Sequence, residues 1–305
     1  MRARANPIAV SLLAGLLLAA CDGVESTPGD AMAPLAANDL GSRASVDAGA
    51  LAMDAAVAHG VFFSFGIAAP DDPPKKKDLL LDQVHRVAEV IGKMKNPSFD
   101  SSVLLGAPAV SPDSVKARLE GYAQTLGSGD TFVMYSHSHG TKKGLLLGFE
   151  PGAGLLSWED LAELILALPA KNVLVFTMSC HSGALADLLK SSEYAARWQG
   201  RTADDRSLVV MTAVAADETA AATDFLIGNP NSIGNPFNYA VRTALAGQAD
   251  GFSTASGTGA ADGVTTLSEA RGYILQTGKE KAKNDQQNPQ FAGELVDDER
   301  FPTAP

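Results

Sequence analysis

The sequence predicts an α/β domain of three layers, with helices on both faces of a mainly parallel sheet. Three observations predict it. From about Val57 onward, short apolar runs alternate with segments of helical period, the order that produces crossover connections and parallel pairing. Val173-Leu174-Val175-Phe176 is apolar at every position, as a strand covered on both faces must be. The helical segments carry apolar residues on one face only, so each has one side to bury against a sheet.

Taken in order, Val61-Phe62-Phe63-Ser64-Phe65 is the first strand. Asp71-Asp72-Pro73-Pro74-Lys75-Lys76-Lys77 reads as a polar loop. Leu80, Val84, Val87, Ala88, Ile91 and Met94 then line one helical face. Ser101 to Leu105 is the second strand. Ser111-Pro112 opens a helix, with Ser as N-cap and Pro at the first helical position; Val115, Leu119, Tyr122 and Leu126 form its apolar stripe. Gly127 to Asp130 is a turn, and Thr131 to Ser136 is the third strand. Lys143 to Phe149 is Gly-bounded and β-like, an arm of a hairpin. Ser157-Trp158-Glu159-Asp160 resembles a capping box with Asp in place of Glu, and Pro169 ends the helix that follows. Val173 to Phe176 is the fourth strand, and one helix is expected from about Ala184 to Trp198. Leu208 to Val214 is the fifth strand. Asn235-Pro236 starts a helix with Phe237, Val241 and Leu245, and Thr266 with Glu269 caps a last one through about Ala282.

The ends read differently. Arg2 and Arg4 precede an apolar run from Pro7 to Leu18, too short for a permanent membrane span. It closes on Leu18-Ala19-Ala20-Cys21, which resembles the bacterial lipobox. That resemblance implies residues 1–20 as a cleaved signal peptide and Cys21 as a lipidated N-terminus in the cell envelope, since several acyl chains anchor stably. Residues 21–56 carry no apolar period and read as a flexible tether; the domain is expected over 57–302. The formal charge is −11, and without Arg2 and Arg4 it is near −13, with 22 basic against 35 acidic residues. A chain this acidic is not expected to bind nucleic acid through phosphates. Of two cysteines, Cys21 is accounted for by the lipid, so no second one remains for an intrachain disulfide with Cys180.

Chemistry concentrates after two strands. The third runs into Tyr135-Ser136-His137-Ser138-His139-Gly140, the fourth into Met178-Ser179-Cys180-His181-Ser182-Gly183. Sites in parallel sheets form at the carboxyl ends of strands, and neighbouring strands lie about 4.8 Å apart. An imidazole beside a thiol is the usual route to a thiolate, and a helix starting after Cys180 would favour it further. The N–H groups of Gly140 and Cys180 could bind an oxyanion.

A strand ending in His-Gly, then about forty residues, then a strand ending in Cys-x-Ser-Gly resembles the caspase-like cysteine peptidases. Metacaspases typically read Tyr-Ser-Gly-His-Gly and Asp-Ser-Cys-His-Ser-Gly. Gly129-Asp130, the helix from Val115, Ala261-Asp262-Gly263-Val264-Thr265 and Gln287-Asn288-Pro289-Gln290 are also similar to members of that family, so the resemblance covers about residues 57–295. It implies a caspase-like fold, Cys180 as nucleophile, His139 as general base, a peptide or protein substrate, a thioester intermediate, and neither cofactor nor metal in the chemistry. There are two departures. His137 and Ser138 both stand between Ser136 and His139, which leaves His137 as a competing base. Met178 replaces the family's acid two residues before the Cys, which puts cleavage after Arg or Lys in question; Asp217 or Glu218, after the fifth strand, could supply the charge.

Three other readings are open to the same residues. Ser136-His137-Ser138-His139-Gly140 nearly matches a serine-hydrolase elbow around Ser138, which must lead from strand directly into helix. His137, His139, Cys180 and His181 could be four metal ligands. A domain of this type could also serve as an inactive interaction module.

Overall fold

The computed structural model describes residues 59–94, 97–149, 154–220, 234–252, 261–282, 287–296 and 299–304. The expected signal segment, Cys21 and the tether lie outside them. Among the described residues no helix is long and apolar enough to cross a membrane.

The sheet is built from β1 (Gly60–Ile67), β2 (Phe99–Leu105), β3 (Thr131–Thr141), β6 (Asn172–Met178), β7 (Ser207–Thr212) and β8 (Gln290–Glu294), in the order β2-β1-β3-β6-β7-β8. The first four pairings are parallel; β8 closes antiparallel on β7. β4 (Gly144–Leu146) folds back on the end of β3, and β5 (Leu155–Ser157) pairs with β4. The helices are α1 (Pro74–Ile91), α2 (Pro112–Thr125), α3 (Trp158–Leu166), α4 (Gly183–Lys190), α5 (Ser192–Trp198), α6 (Pro236–Thr243) and α7 (Leu267–Lys281). The result is the three-layer α/β sandwich around a mainly parallel sheet that the alternating pattern predicts.

Alternation along each strand sorts the core into two halves. Phe63, Phe65, Phe132, Met134, Val173 and Val175 face one side and pack with Val115, Leu119, Leu161, Ile165, Leu185 and Trp198 from α2 to α5. Phe62, Val133, Tyr135, Leu174 and Phe176 face the other, under Val84, Val87, Phe237, Val241 and Ile274 from α1, α6 and α7. A buried polar link crosses the second half. Asn238 Nδ2 donates to the Tyr135 hydroxyl at 2.8 Å and to the Gln83 carbonyl at 3.2 Å, joining α6 to β3 and α1.

Local chemistry sets the helix starts. Ser111 accepts from Ser114 N–H in a reciprocal capping box, Ser157 accepts from Asp160 N–H, Asn235 accepts from Phe237 and Asn238, and Thr266 pairs reciprocally with Glu269. These satisfy N–H groups that a helix leaves open at its start.

The structure corrects five sequence expectations. Pro74 to Lys77, read as part of a polar loop, form the first turn of α1, with Pro74 opening the helix. The helix from Ala184 to Trp198 is two helices, because Ser191 adopts an extended conformation (ψ 152°) between α4 and α5. β3 does not stop at Ser136 but continues to Thr141, since β4 pairs with its last three residues. β7 ends at Thr212, two residues before the expected end. The antiparallel β8 was not expected at all.

Candidate active site

The loops following β1, β3, β6 and β7 gather at the carboxyl edge of the sheet. β3 and β6 are neighbours in register, with Tyr135 opposite Phe176 and His137 opposite Met178. His139 lies two residues further along β3, and Cys180 lies two residues past Met178, in the turn that follows β6. The two in-register strands thus bring both residues to the same edge of the sheet. Their backbones meet closely: a Cβ on Gly140 would run into the Cys180 carbonyl oxygen and lie 2.7 Å from Ser179 Oγ. A glycine is required there for β3 to pass the turn that carries the thiol. Cys180 is half-buried.

His139 is held by an acid from the loop after β1. Its Nε2 lies 2.7 Å from Oδ2 of Asp72, with 16% of the histidine side chain and 6% of the aspartate side chain exposed. Asp72 is itself fixed. Ala69 N–H donates to Oδ2 at 2.9 Å, Asp72 N–H returns a bond to the Ala69 carbonyl at 3.1 Å, and Lys76 Nζ lies 2.6 Å from Oδ1. Burial alone would push the Asp72 carboxyl up; the bonds from Lys76, His139 and Ala69 outweigh it and hold the group below the usual carboxylate range. The ring of Phe149 stands edge-on to the imidazole, centroids 6.2 Å apart at 85°.

A carboxylate can only accept from Nε2, so His139 carries a proton on Nε2, which leaves Nδ1 turned away from Asp72. His137, the competing base, is in a different state. It is buried on β3, its Nδ1 has no partner among the described residues, and burial, then the neighbouring His139 and Lys76, push its pKa down to about 3. It stays neutral and out of contact with solvent at ordinary pH.

His181 takes the left-handed conformation, φ 58°, uncommon for a non-glycine residue. Two bonds hold it: its N–H donates to the Glu218 carbonyl at 2.8 Å and its Nδ1 donates to the Ala216 carbonyl at 3.0 Å. The turn after Cys180 is thereby clasped to the loop after β7. Glu218 is committed to that loop as well. One carboxylate oxygen accepts from the N–H groups of Ala215 and Asn288, each at 3.0 Å, and the other from the Asn288 side-chain amide. Burial opposes its ionisation, and the Ala215 and Asn288 donors prevail, so its pKa is lowered. Asp217 beside it is exposed.

The other readings fare less well. Ser138 lies within β3 and donates to the His139 carbonyl at 3.0 Å; the chain then continues as strand and hairpin, so the strand-to-helix elbow that a serine nucleophile requires is not formed. His137, His139, Cys180 and His181 are not gathered into a ligand set, and among the described residues no three His, Cys, Asp or Glu side chains are grouped to hold a metal. Sequence reading brought His139, Gly140 and Cys180 to one edge, and the structure places them there. It missed Asp72 and Lys76, which stood in what read as a solvated loop. The available signal was an acid directly before Pro-Pro, at the entry to a helix that follows the first strand.

No family model matches this chain, and no curated protein does. Among solved structures, a protein of Geobacter sulfurreducens determined by structural genomics is similar over 80% of this chain and 98% of its own, with 17% identity and a TM-score of 0.48. Caspase-1 from Spodoptera frugiperda is similar over 78% of this chain and 89% of its own, with 13% identity and a TM-score of 0.48.

Proposed function

We propose that this chain is a cysteine endopeptidase of the caspase-like type, with Cys180 as nucleophile, His139 as general base and Asp72 holding the base. The observation that carries this reading is the His139–Asp72 bond of 2.7 Å on β3, whose neighbour β6 leads into the turn that carries Cys180. Asp72 fixes the tautomer and the plane of the ring, which leaves Nδ1 to take the thiol proton. The thiolate attacks the peptide carbonyl, and the oxyanion is bound by the N–H groups of Gly140 and Cys180. His139 gives its proton to the leaving amine, and water then hydrolyses the thioester.

Specificity follows from the loop after β7. Because both oxygens of Glu218 are taken, Asp217 is the acid available to a substrate side chain. Cleavage after Arg or Lys is the reading this supports. The test is to profile the purified protein against a peptide library and repeat it with Asp217→Asn. The substitution should lower kcat/KM for basic peptides at least about tenfold and leave neutral ones unchanged. Preference for Asn or Asp at the cleaved position, with Asp217 replaceable at no cost, would remove the basic pocket and keep the dyad. No cleavage of any peptide would favour an interaction module.

The site is also proposed to face the exterior of the cytoplasm, tied to a membrane through Cys21. Wild-type protein should enter the detergent phase on phase separation, and Cys21→Ser should stay in the aqueous phase. Aqueous wild-type protein would exclude the anchor.

A further inference from the structure

The two oxygens of Asp72 are divided between different tasks. Oδ2 takes the Ala69 N–H and His139 Nε2, while Oδ1, among the described residues, takes the ammonium of Lys76, four positions on in the first turn of α1. Turning about the Cβ–Cγ bond moves both oxygens, so a bond at each end holds the carboxylate plane more firmly than bonds at one end alone. Ala69 and His139 supply the hold at Oδ2 and Lys76 supplies the one at Oδ1, where it also compensates a charge buried at the edge of the sheet.

We propose that Lys76 is a positioning residue for the dyad: its ammonium fixes the Asp72 carboxylate and thereby the plane in which His139 meets Cys180. This rests on the peptidase reading of the site. Among the described residues the charged and titratable groups shown beside His139 are Lys76 from α1, Asp72 from the loop before it and His137 from β3, with Cys180 in the turn after the neighbouring β6; Phe149 adds an uncharged wall. Removing a positive charge makes protonation easier at every one of these groups. The sign is therefore the same whichever of them limits the reaction in acid: the acid limb moves to higher pH.

The experiment compares full-length wild type, Lys76→Met and Lys76→Arg. It measures kcat and KM against pH, and separately the rate at which iodoacetamide alkylates Cys180, followed by peptide mass. In Lys76→Met, kcat should fall about tenfold with KM within about twofold, and the acid limb of both profiles should rise by about half a unit to one unit. Lys76→Arg should restore both. Wild-type profiles in Lys76→Met overturn the proposal. So does a loss that Lys76→Arg does not repair and that comes with a lower melting temperature, which would make the residue merely structural. If no peptide is cleaved by wild type but the alkylation limb moves and returns as stated, the peptidase reading fails and the positioning role stands. If peptides are cleaved and neither profile moves, the reverse holds.

Discussion

Replacing Cys180 with Ala should abolish peptide hydrolysis, and His139→Ala should lower kcat by at least about 10³-fold. The two losses should not add, because nucleophile and base act as one unit. Binding of uncleaved substrate should persist in both variants, since neither change alters the loop after β7. His137→Ala tests the choice between histidines. That imidazole is already neutral and walled in, so its loss removes packing rather than a proton acceptor. Its effect should be on melting temperature, with kcat reduced by less than about tenfold. A dead His137→Ala beside an active His139→Ala would reverse the assignment. An active Cys180→Ala with an inactive Ser138→Ala would return the serine reading in spite of the strand geometry around Ser138.

Asp72→Asn should lower kcat about 10²-fold with little change in KM, the size expected when a reacting group is left in place but wrongly held. The amide offers one accepting oxygen where the carboxylate offers two, so the Ala69 N–H, His139 and Lys76 compete for it. Its NH₂ would face either Lys76 or His139. Stability should change with pH in a defined direction. Asp72 is held below its ordinary value, so its contribution is present above about pH 4, where the unfolded group ionises, and is lost as pH falls through the lower folded value. The melting temperature of Asp72→Asn should therefore lie below that of wild type at neutral pH, and the gap should close in acid. Equal kcat in the two proteins would leave His139 oriented by β3 and Phe149 alone.

Much of this architecture was legible before any coordinates. The central strands announce themselves because a strand covered on both faces has no polar positions, as at Val173 to Phe176. His139 and Cys180 stand out because a reactive group at a strand end needs small residues around it, and Gly140 and Gly183 supply them. What escaped reading had long-range causes. Asp72 meets His139 across 67 positions, and a single carboxylate among lysines and prolines looks like a solvated one until the fold buries it. β8, Gln290-Phe291-Ala292-Gly293-Glu294, has too little apolar alternation to read as a strand; the open edge of β7 recruits it. The break at Ser191 carries neither glycine nor proline, and it follows from packing both Leu189 and Trp198 into the same core. Glu218 looked like half of a charged pair for substrate; its partner Asn288 lies 70 positions away.

That last contact bears on the order in which the parts of the candidate site come together. The nucleophile's turn leans on the Glu218 carbonyl through His181, and Glu218 is in turn gripped by Asn288, at the entrance to the final strand. A nascent chain folds from its N-terminal end as it emerges, so Asp72, His139 and Cys180 become available to fold before Asn288 does. The candidate reactive groups lie between positions 72 and 180, and the clasp on their loop comes at position 288. A chain that has folded only as far as Cys180 therefore holds all three groups without the grip on Glu218. Under the proposed peptidase reading, that order keeps the cleft incomplete until the segment around Asn288 has taken its place.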